Sequence, residues 1–341
     1  MNYKEVIKVL ESVASSKRSE SWDNVGLLVE PIEMKNVENL MLTNDLTEGV
    51  LHEAESKNVN FILSYHPPIF SPLKRITQNH WKQRIAATCL KKSIAVYSPH
   101  TAYDWLDGGV NDWLISAFGI GKLVQPVTQS KMAPEHRYKV TFNENGPLAA
   151  VRDKINSSGI SEQYLICEEI KTIFCKDQDL ASVFDAIPAA MYPNVSVTKN
   201  EDVPIARTGI GRKVDVEKPL KLSELISNLK TMTGLTVVRL GVGVNHSTAD
   251  TLVKTGAVCA GSGNSVLKGV AGAVDVVVTG EMSHHDVLEF TQKGTTVILL
   301  EHSNSERGFL KQWLQPKLLE LFGGKVSVCV SEEDKDPLQF Y

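Results

Sequence analysis

Histidines and carboxylates recur in this chain where short apolar runs stop. Phe61-Ile62-Leu63-Ser64 has strand length and ends in Tyr65-His66, after which Pro67-Pro68 blocks further ladder pairing and an immediate helix. Ser93 to Ser98 ends in Pro99-His100-Thr101-Ala102-Tyr103-Asp104. Val274 to Thr279 runs into Gly280-Glu281-Met282-Ser283-His284-His285-Asp286, and Thr295 to Leu300 into Glu301-His302-Ser303-Asn304-Ser305-Glu306. Open α/β sheets hold ligands at the carboxyl ends of their strands, so these four tips are candidates for one shared site. Imidazoles mixed with carboxylates, without thiolates, suit Zn, Mn, Fe, Co or Ni better than Ca, and their convergence suggests a hydrolytic or di-metal centre. His302 and Glu306 are four apart, the spacing that puts both on one face of a helix.

Each residue also has a plainer reading. His66 could be a satisfied structural histidine, Asp104 a loop or cap aspartate, and Glu306 the reciprocal partner in a Ser303-x-x-Glu306 capping box. Trp22, in Trp22-Asp23-Asn24-Val25-Gly26, is read as core packing. Gly261-Ser262-Gly263 between a strand and a helix could hold a phosphate on its amides or be a close-packing turn. With Glu281 beyond it, the stretch also mimics a dinucleotide fingerprint, but Val266 stands where the third glycine belongs.

The elements that would position these tips alternate. Helical patterns at Met1 to Ser16, Thr47 to Lys57 and Trp81 to Lys92 interleave with strands at Asn39 to Thr43, Asn60 to Ser64 and Ser93 to Ser98, which implies a mostly parallel sheet covered on both faces. From Gln125 the pattern becomes βαββαβ: strands at Tyr138 to Phe142, Tyr164 to Ile170, Lys171 to Cys175 and Val195 to Thr198, with helices at Leu148 to Ser157 and Asp179 to Ala190. That order is ferredoxin-like. Alternation then resumes with a helix from Leu222 to Gly234, capped by Ser223, strands at Thr236 to Gly241 and Ala257 to Cys259, the last two tips, a helix from Phe309 to Leu321 and a strand at Lys325 to Val330. The expected organisation is therefore a first α/β half (1–127), an inserted ferredoxin-like α+β domain (128–206) and a second α/β half (207–341).

The totals bound the function. A chain of 341 residues with 42% hydrophobic and 22% charged residues can bury a sizeable core, which excludes disorder. With 36 basic against 40 acidic residues there is no overall positive field, so direct nucleic-acid binding is not expected. Five scattered cysteines without a C-x-x-C pair argue against a disulfide framework or a thiolate zinc site and for a reducing compartment. No run reaches the roughly 20 apolar residues of a membrane span. Met1 to Ser16 reads as an amphipathic surface helix, not as a signal or transit peptide. The expected location is the cytoplasm, with the nucleus as a further one.

Several motifs together resemble the NGG-interacting-factor-3-like (Nif-3-like) proteins over nearly the whole chain. They are Trp22-Asp23-Asn24-Val25-Gly26, Tyr65-His66-Pro67, His100-Thr101-x-x-Asp104 with Gly109-Val110-Asn111-Asp112, Val258-Cys259-Ala260-Gly261-Ser262-Gly263, Thr279-Gly280-Glu281 and His302-x-x-x-Glu306-Arg307-Gly308. The resemblance implies two similar α/β halves, with an insert in longer members, and a ring-shaped homohexamer with a pair of divalent metals facing its opening. It implies His66 and Asp104 as ligands of one metal, His302 as a ligand of the second, Glu306 as a bridge and His100 as a further ligand or neighbour. Common bacterial members have two consecutive histidines where this chain has Tyr65-His66. A phenol with a pKa near 10 is a poor ligand at neutral pH, so the expected content is one or two metals per subunit.

Family members are described as type 2 homologues of GTP cyclohydrolase I, and eukaryotic-type members are linked to transcription regulators. The resulting expectation is a metal-dependent hydrolase of a nucleotide or phosphorylated small molecule. In it the metal activates water, Glu281 or His284 shuttles protons, and Gly261, Ser262 and Gly263 hold a phosphate. The alternative is a non-catalytic interaction protein, a scaffold for transcriptional co-regulation.

Overall fold

Strands buried on both faces form the centre of a computed structural model that describes all residues except 34–35, 120, 133–135, 144–147, 158–164 and 340–341. In Asn39–Thr43, Phe61–Ser64 and Ala95–Ser98 the side chains on both faces are buried, which explains why these strands read as continuous apolar runs. They pair in parallel, with Gly26–Val29 added antiparallel beyond Ala95–Ser98. Ser327–Val330, from the far end of the chain, adds in parallel beside Asn39–Thr43.

The second sheet repeats this plan. Leu252–Cys259, Val276–Thr279 and Thr296–Leu299 are parallel, and Arg239–Gly241 adds antiparallel at the Thr296–Leu299 side. Arg212–Lys221 and Gly121–Gln125 extend the other side, giving six strands. The two halves are thus similar, each a parallel trio with an antiparallel neighbour on its third strand.

One core spans both halves. Leu40, Leu42, Phe61 and Leu63 from the first sheet and Val258, Val276, Val278 and Ile298 from the second belong to one buried cluster with Val6, Leu10, Trp113, Phe309, Leu314 and Leu318. The opposite faces have their own cover: Met41, Ile62 and Val96 pack with residues of the helices Glu48–Ser56 and Trp81–Lys91, and Val277 and Val297 pack with Phe290 of His284–Gln292.

Residues Met1–Gln129 with Arg207–Tyr341 form one compact unit and Ser130–Ala206 a second. In the second, the antiparallel sheet runs Val195–Lys199, Tyr138–Phe142, Thr172–Cys175, Leu165–Cys167, the ferredoxin-like order. Val140, Phe142, Val151, Ile173 and Val183 give it its own core. Tyr164, expected to open one of its strands, lies outside the described residues.

Some local expectations need correction. Ser223 does not cap its helix, which spans Leu222–Thr233 after Lys221 without a side-chain cap bond; Gly234, at φ 75°, ends it as expected. The helix expected from Phe309 starts earlier, at Asn304–Phe309, passes through a wide π turn at Leu310–Leu314 and continues as Gln315–Phe322. Trp22 is not core: 60% of its surface is exposed.

Candidate metal centre

All four strand tips project from the carboxyl ends of their sheets, and three side chains from them converge. His66 leaves Phe61–Ser64 two residues after the strand ends, held by its amide donating to the Asn44 carbonyl at 3.0 Å and its carbonyl accepting from Ser64 Oγ at 2.6 Å. Its Nε2 is 3.3 Å from Glu306 Oε2. His302, beyond Thr296–Leu299, places its own Nε2 3.6 Å from Glu306 Oε1. Each of the three offers a ligand atom, and those atoms all lie within 4.8 Å of one another. The two imidazole centroids are 5.1 Å apart.

The far nitrogen of each imidazole is held by a carboxylate. His66 Nδ1 lies 3.0 Å from Asp45 Oδ1, and His302 Nδ1 lies 2.8 Å from Glu281 Oε1. A carboxylate behind each ring fixes its orientation, turns Nε2 to the shared centre and raises its basicity, the arrangement that surrounds metal-bound histidines. Glu306 is buried, with Asn44 Nδ2 donating to its Oε2 at 3.0 Å, and Asn44 Oδ1 is itself buried without a hydrogen-bond partner among the described residues. The His302 side chain is 38% exposed, so the centre opens to solvent on that side.

Electrostatics agree with a cation site. Burial would push the His66 pKa down, but the Glu306 and Asp45 carboxylates outweigh it and hold it up at about 11. Glu306 is itself held low, against burial, by His66 and His302. The field that retains a proton on His66 is the field that would hold a metal cation in its place. Two imidazoles and a carboxylate, each ring already backed through Nδ1, fit a transition metal.

The other expected ligands stand next to this triad. Tyr65 is buried and donates its hydroxyl to Asp104 Oδ1 at 2.5 Å. Burial, then Asp104 and Glu306, push its pKa up, so with no cation beside it the hydroxyl keeps its proton and donates to Asp104. Burial also raises the Asp104 pKa to about 7, with the Tyr65 hydrogen bond opposing the rise. His100 packs its ring 5.4 Å from that of His66 and points Nδ1 at Asp23 Oδ1, 2.7 Å away, while Asp23 Oδ2 accepts from Thr101 Oγ1 at 2.6 Å. His100 has φ 36°, and Glu301, two residues past the equivalent strand of the other half, has φ 66°; both are strained for non-glycine residues.

Two sequence expectations change. The amides of Gly261 and Gly263 are engaged inside the protein, donating to Ser305 Oγ at 2.8 Å and Thr279 Oγ1 at 3.0 Å, so they are not presented to a phosphate or dinucleotide, and Ser262 between them is exposed. Gly261 instead backs the triad: at φ 65°, a Cβ there would meet Glu306 Oε1 at 2.6 Å and His302 Nε2 at 3.1 Å. Glu281 is the orienting partner of His302. His284 lies on the exposed first turn of His284–Gln292 with its ring against His285. The capping-box reading of Glu306 gives way, because Ser303 makes no cap bond and donates its hydroxyl to Asp336.

Sequence reasoning missed Asn44, Asp45 and the role of Asp23. Asn44-Asp45 directly follows Asn39–Thr43, so the strand-tip rule applied to a tip without histidine would have found the pair. Asp23 lay inside a motif already singled out.

Comparison with known proteins finds relatives along nearly the whole chain. The family model Duf34/NIF3 (NGG1p interacting factor 3) matches residues 1–337. NIF3-like protein 1 of Mus musculus is 41% identical over 354 residues, covering 99% of this chain and 93% of its own. NGG1-interacting factor 3 of Saccharomyces cerevisiae is 31% identical over 327 residues, covering 93% and 89%. Among solved structures, the Staphylococcus aureus hypothetical protein SA1388 aligns with a TM-score of 0.74 over 100% of this chain and 99% of its own, and at 23% identity that likeness speaks to the fold. On these matches, the chain belongs to the Duf34/NIF3 family.

Proposed function

We propose that this protein is a metal-dependent hydrolase acting on a nucleotide or another phosphorylated small molecule. The carrying observation is the approach of His66, His302 and Glu306 to a common point, with Asp45 and Glu281 behind the two rings. His66, His302 and Glu306 would hold the metal, which supplies a water whose pKa is lowered to about 7. Asp45 and Glu281 keep both Nε2 atoms aimed, and Gly261 keeps the wall open by having no side chain. Glu281, exposed and joined to His302 Nδ1, would pass protons to solvent. The working form in this reading is a homo-oligomer, a hexamer, in the cytoplasm and nucleus.

The test is metal content and turnover together. Protein prepared without chelator should hold about one transition metal per subunit, and Glu306→Ala should lose it. A panel of nucleotides and phosphoesters with added Mn, Zn or Co should show hydrolysis that His302→Ala abolishes with assembly intact by light scattering. Unchanged metal content in Glu306→Ala would overturn the site assignment.

A second reading rests on the name of the yeast relative, an NGG1-interacting factor. In that reading the chain is a non-catalytic scaffold for a transcription regulator. No turnover across the panel, with partner binding retained by His302→Ala, would favour it.

A further inference from the structure

With the amides of Gly261 and Gly263 engaged, the phosphate of a phosphorylated substrate needs another seat. The chain leaving His66 builds one. Pro68, Phe70, Lys74, Arg75, His80 and Lys82 line a cavity of about 500 Å³, and no Asp or Glu lies among its lining residues. Three positively charged side chains and an imidazole thus face one space in a chain whose net charge is -4. Lys74 and Arg75 are exposed and form no ion pair among the described residues, and the Lys82 ammonium lies over the Trp81 ring, 5.3 Å from its centroid. Nearby Arg84 is, by contrast, neutralised by Glu48. Unneutralised cations gathered at a cavity of ligand size are what recognition of a phosphate requires.

The cavity adjoins the metal centre. The Phe70 ring, on its wall, is 6.4 Å from the His100 ring, which is 5.4 Å from the His66 ring. Trp22, largely exposed, stands 6.1 Å from both Phe70 and His100. Two exposed aromatic faces therefore lie between the basic cavity and the triad, where a planar ring could stack.

We infer that the cavity lined by Phe70, Lys74, Arg75, His80 and Lys82 is the phosphate subsite for the molecule handled at the His66–His302–Glu306 centre. The ligand class is a small phosphorylated compound carrying an aromatic ring, its phosphate among the cations and its ring against Trp22 and Phe70. This rests on the proposed hydrolytic reading, but its test does not depend on turnover.

Inorganic tripolyphosphate titrated calorimetrically into metal-stripped, full-length protein in EDTA reports on the cavity alone. The expected result is saturable binding, weakened on the order of tenfold or more in the triple variant Lys74→Gln, Arg75→Gln, Lys82→Gln. A charge-matched control, Lys268→Gln, Lys311→Gln, Lys325→Gln at exposed sites elsewhere, should stay within about twofold of wild type. His302→Ala should lose metal yet bind tripolyphosphate as wild type does, so failure of the hydrolytic reading and failure of this subsite are told apart. Absence of binding to the metal-stripped wild type, equal binding by the triple variant, or an equal loss in the control would each overturn the assignment. So would a single-stranded oligonucleotide that competes for the cavity and binds far more tightly than tripolyphosphate, which would make the surface a nucleic-acid contact.

Discussion

Glu53→Gln should loosen the far end of the chain from the first sheet, and the size of the effect follows from one carboxylate. Glu53 is buried on the helix Glu48–Ser56 and receives Ser331 Oγ at 2.5 Å, the Glu332 amide at 3.0 Å, the Glu333 amide at 3.2 Å and Lys57 Nζ at 2.7 Å. Burial would raise its pKa, but these donors outweigh it and lower it from 4.5 to about 2. At about 1.36 kcal/mol per pKa unit, the shift corresponds to about 3 kcal/mol at pH 7 as an upper value. Because the folded-state pKa is the lower one, this stability is fully present above pH 4.5 and is lost as pH falls towards 2. The glutamine amide would also turn a donor towards groups that are themselves donors. Urea unfolding of wild type and Glu53→Gln should therefore differ by up to about 3 kcal/mol at pH 7 and by about 1 kcal/mol at pH 3. Hydrogen exchange over residues 327–333 should localise the loss. A gap that does not shrink with acid, or unchanged exchange in that segment, would refute the reasoning.

Other substitutions report on the site and its frame. Gly261→Ala puts a methyl group 2.6 Å from Glu306 Oε1 at a positive φ, and metal affinity measured by chelator competition should fall by roughly tenfold or more while the protein stays folded. Tyr65→His replaces the hydroxyl that occupies Asp104 with an imidazole; metal analysis should then show stoichiometry rising towards two per subunit, and no increase would count against a tyrosine-blocked second position. Arg212→Met should cost about 3–5 kcal/mol in denaturation, because the buried guanidinium satisfies Asp112 and the carbonyls of Leu106, Gly209 and Gly211.

The parts legible in sequence were those where one local force dominates. Strands covered on both faces have to be apolar throughout, so Phe61–Ser64, Asn39–Thr43 and their equivalents stood out, and a polar residue just past each was visible as a tip. The ferredoxin-like order followed from alternating periods. Arg212–Lys221 was harder: Val214, Val216 and Leu220 face inward, but the charged residues between them and Pro219 hide the period of two. Which tip residues touch depended on packing between halves more than two hundred residues apart, which no local pattern carries. Trp22 was misread because its size argues for burial, whereas its position beside His100 and Phe70 leaves it facing solvent.

The position of Ser327–Val330 beside Asn39–Thr43 bears on biosynthesis. A ribosome makes the inner strands of the first sheet more than two hundred residues before their outer neighbour, so during translation the Asn39–Thr43 edge is an open row of backbone donors and acceptors on a highly apolar ribbon. Early release, even a dozen codons short of Ser327, would leave that ribbon bare in the finished polypeptide although every metal-facing side chain had been made. Nonsense mutations between the codons for Glu306 and Ser327 should accordingly behave as aggregation mutations.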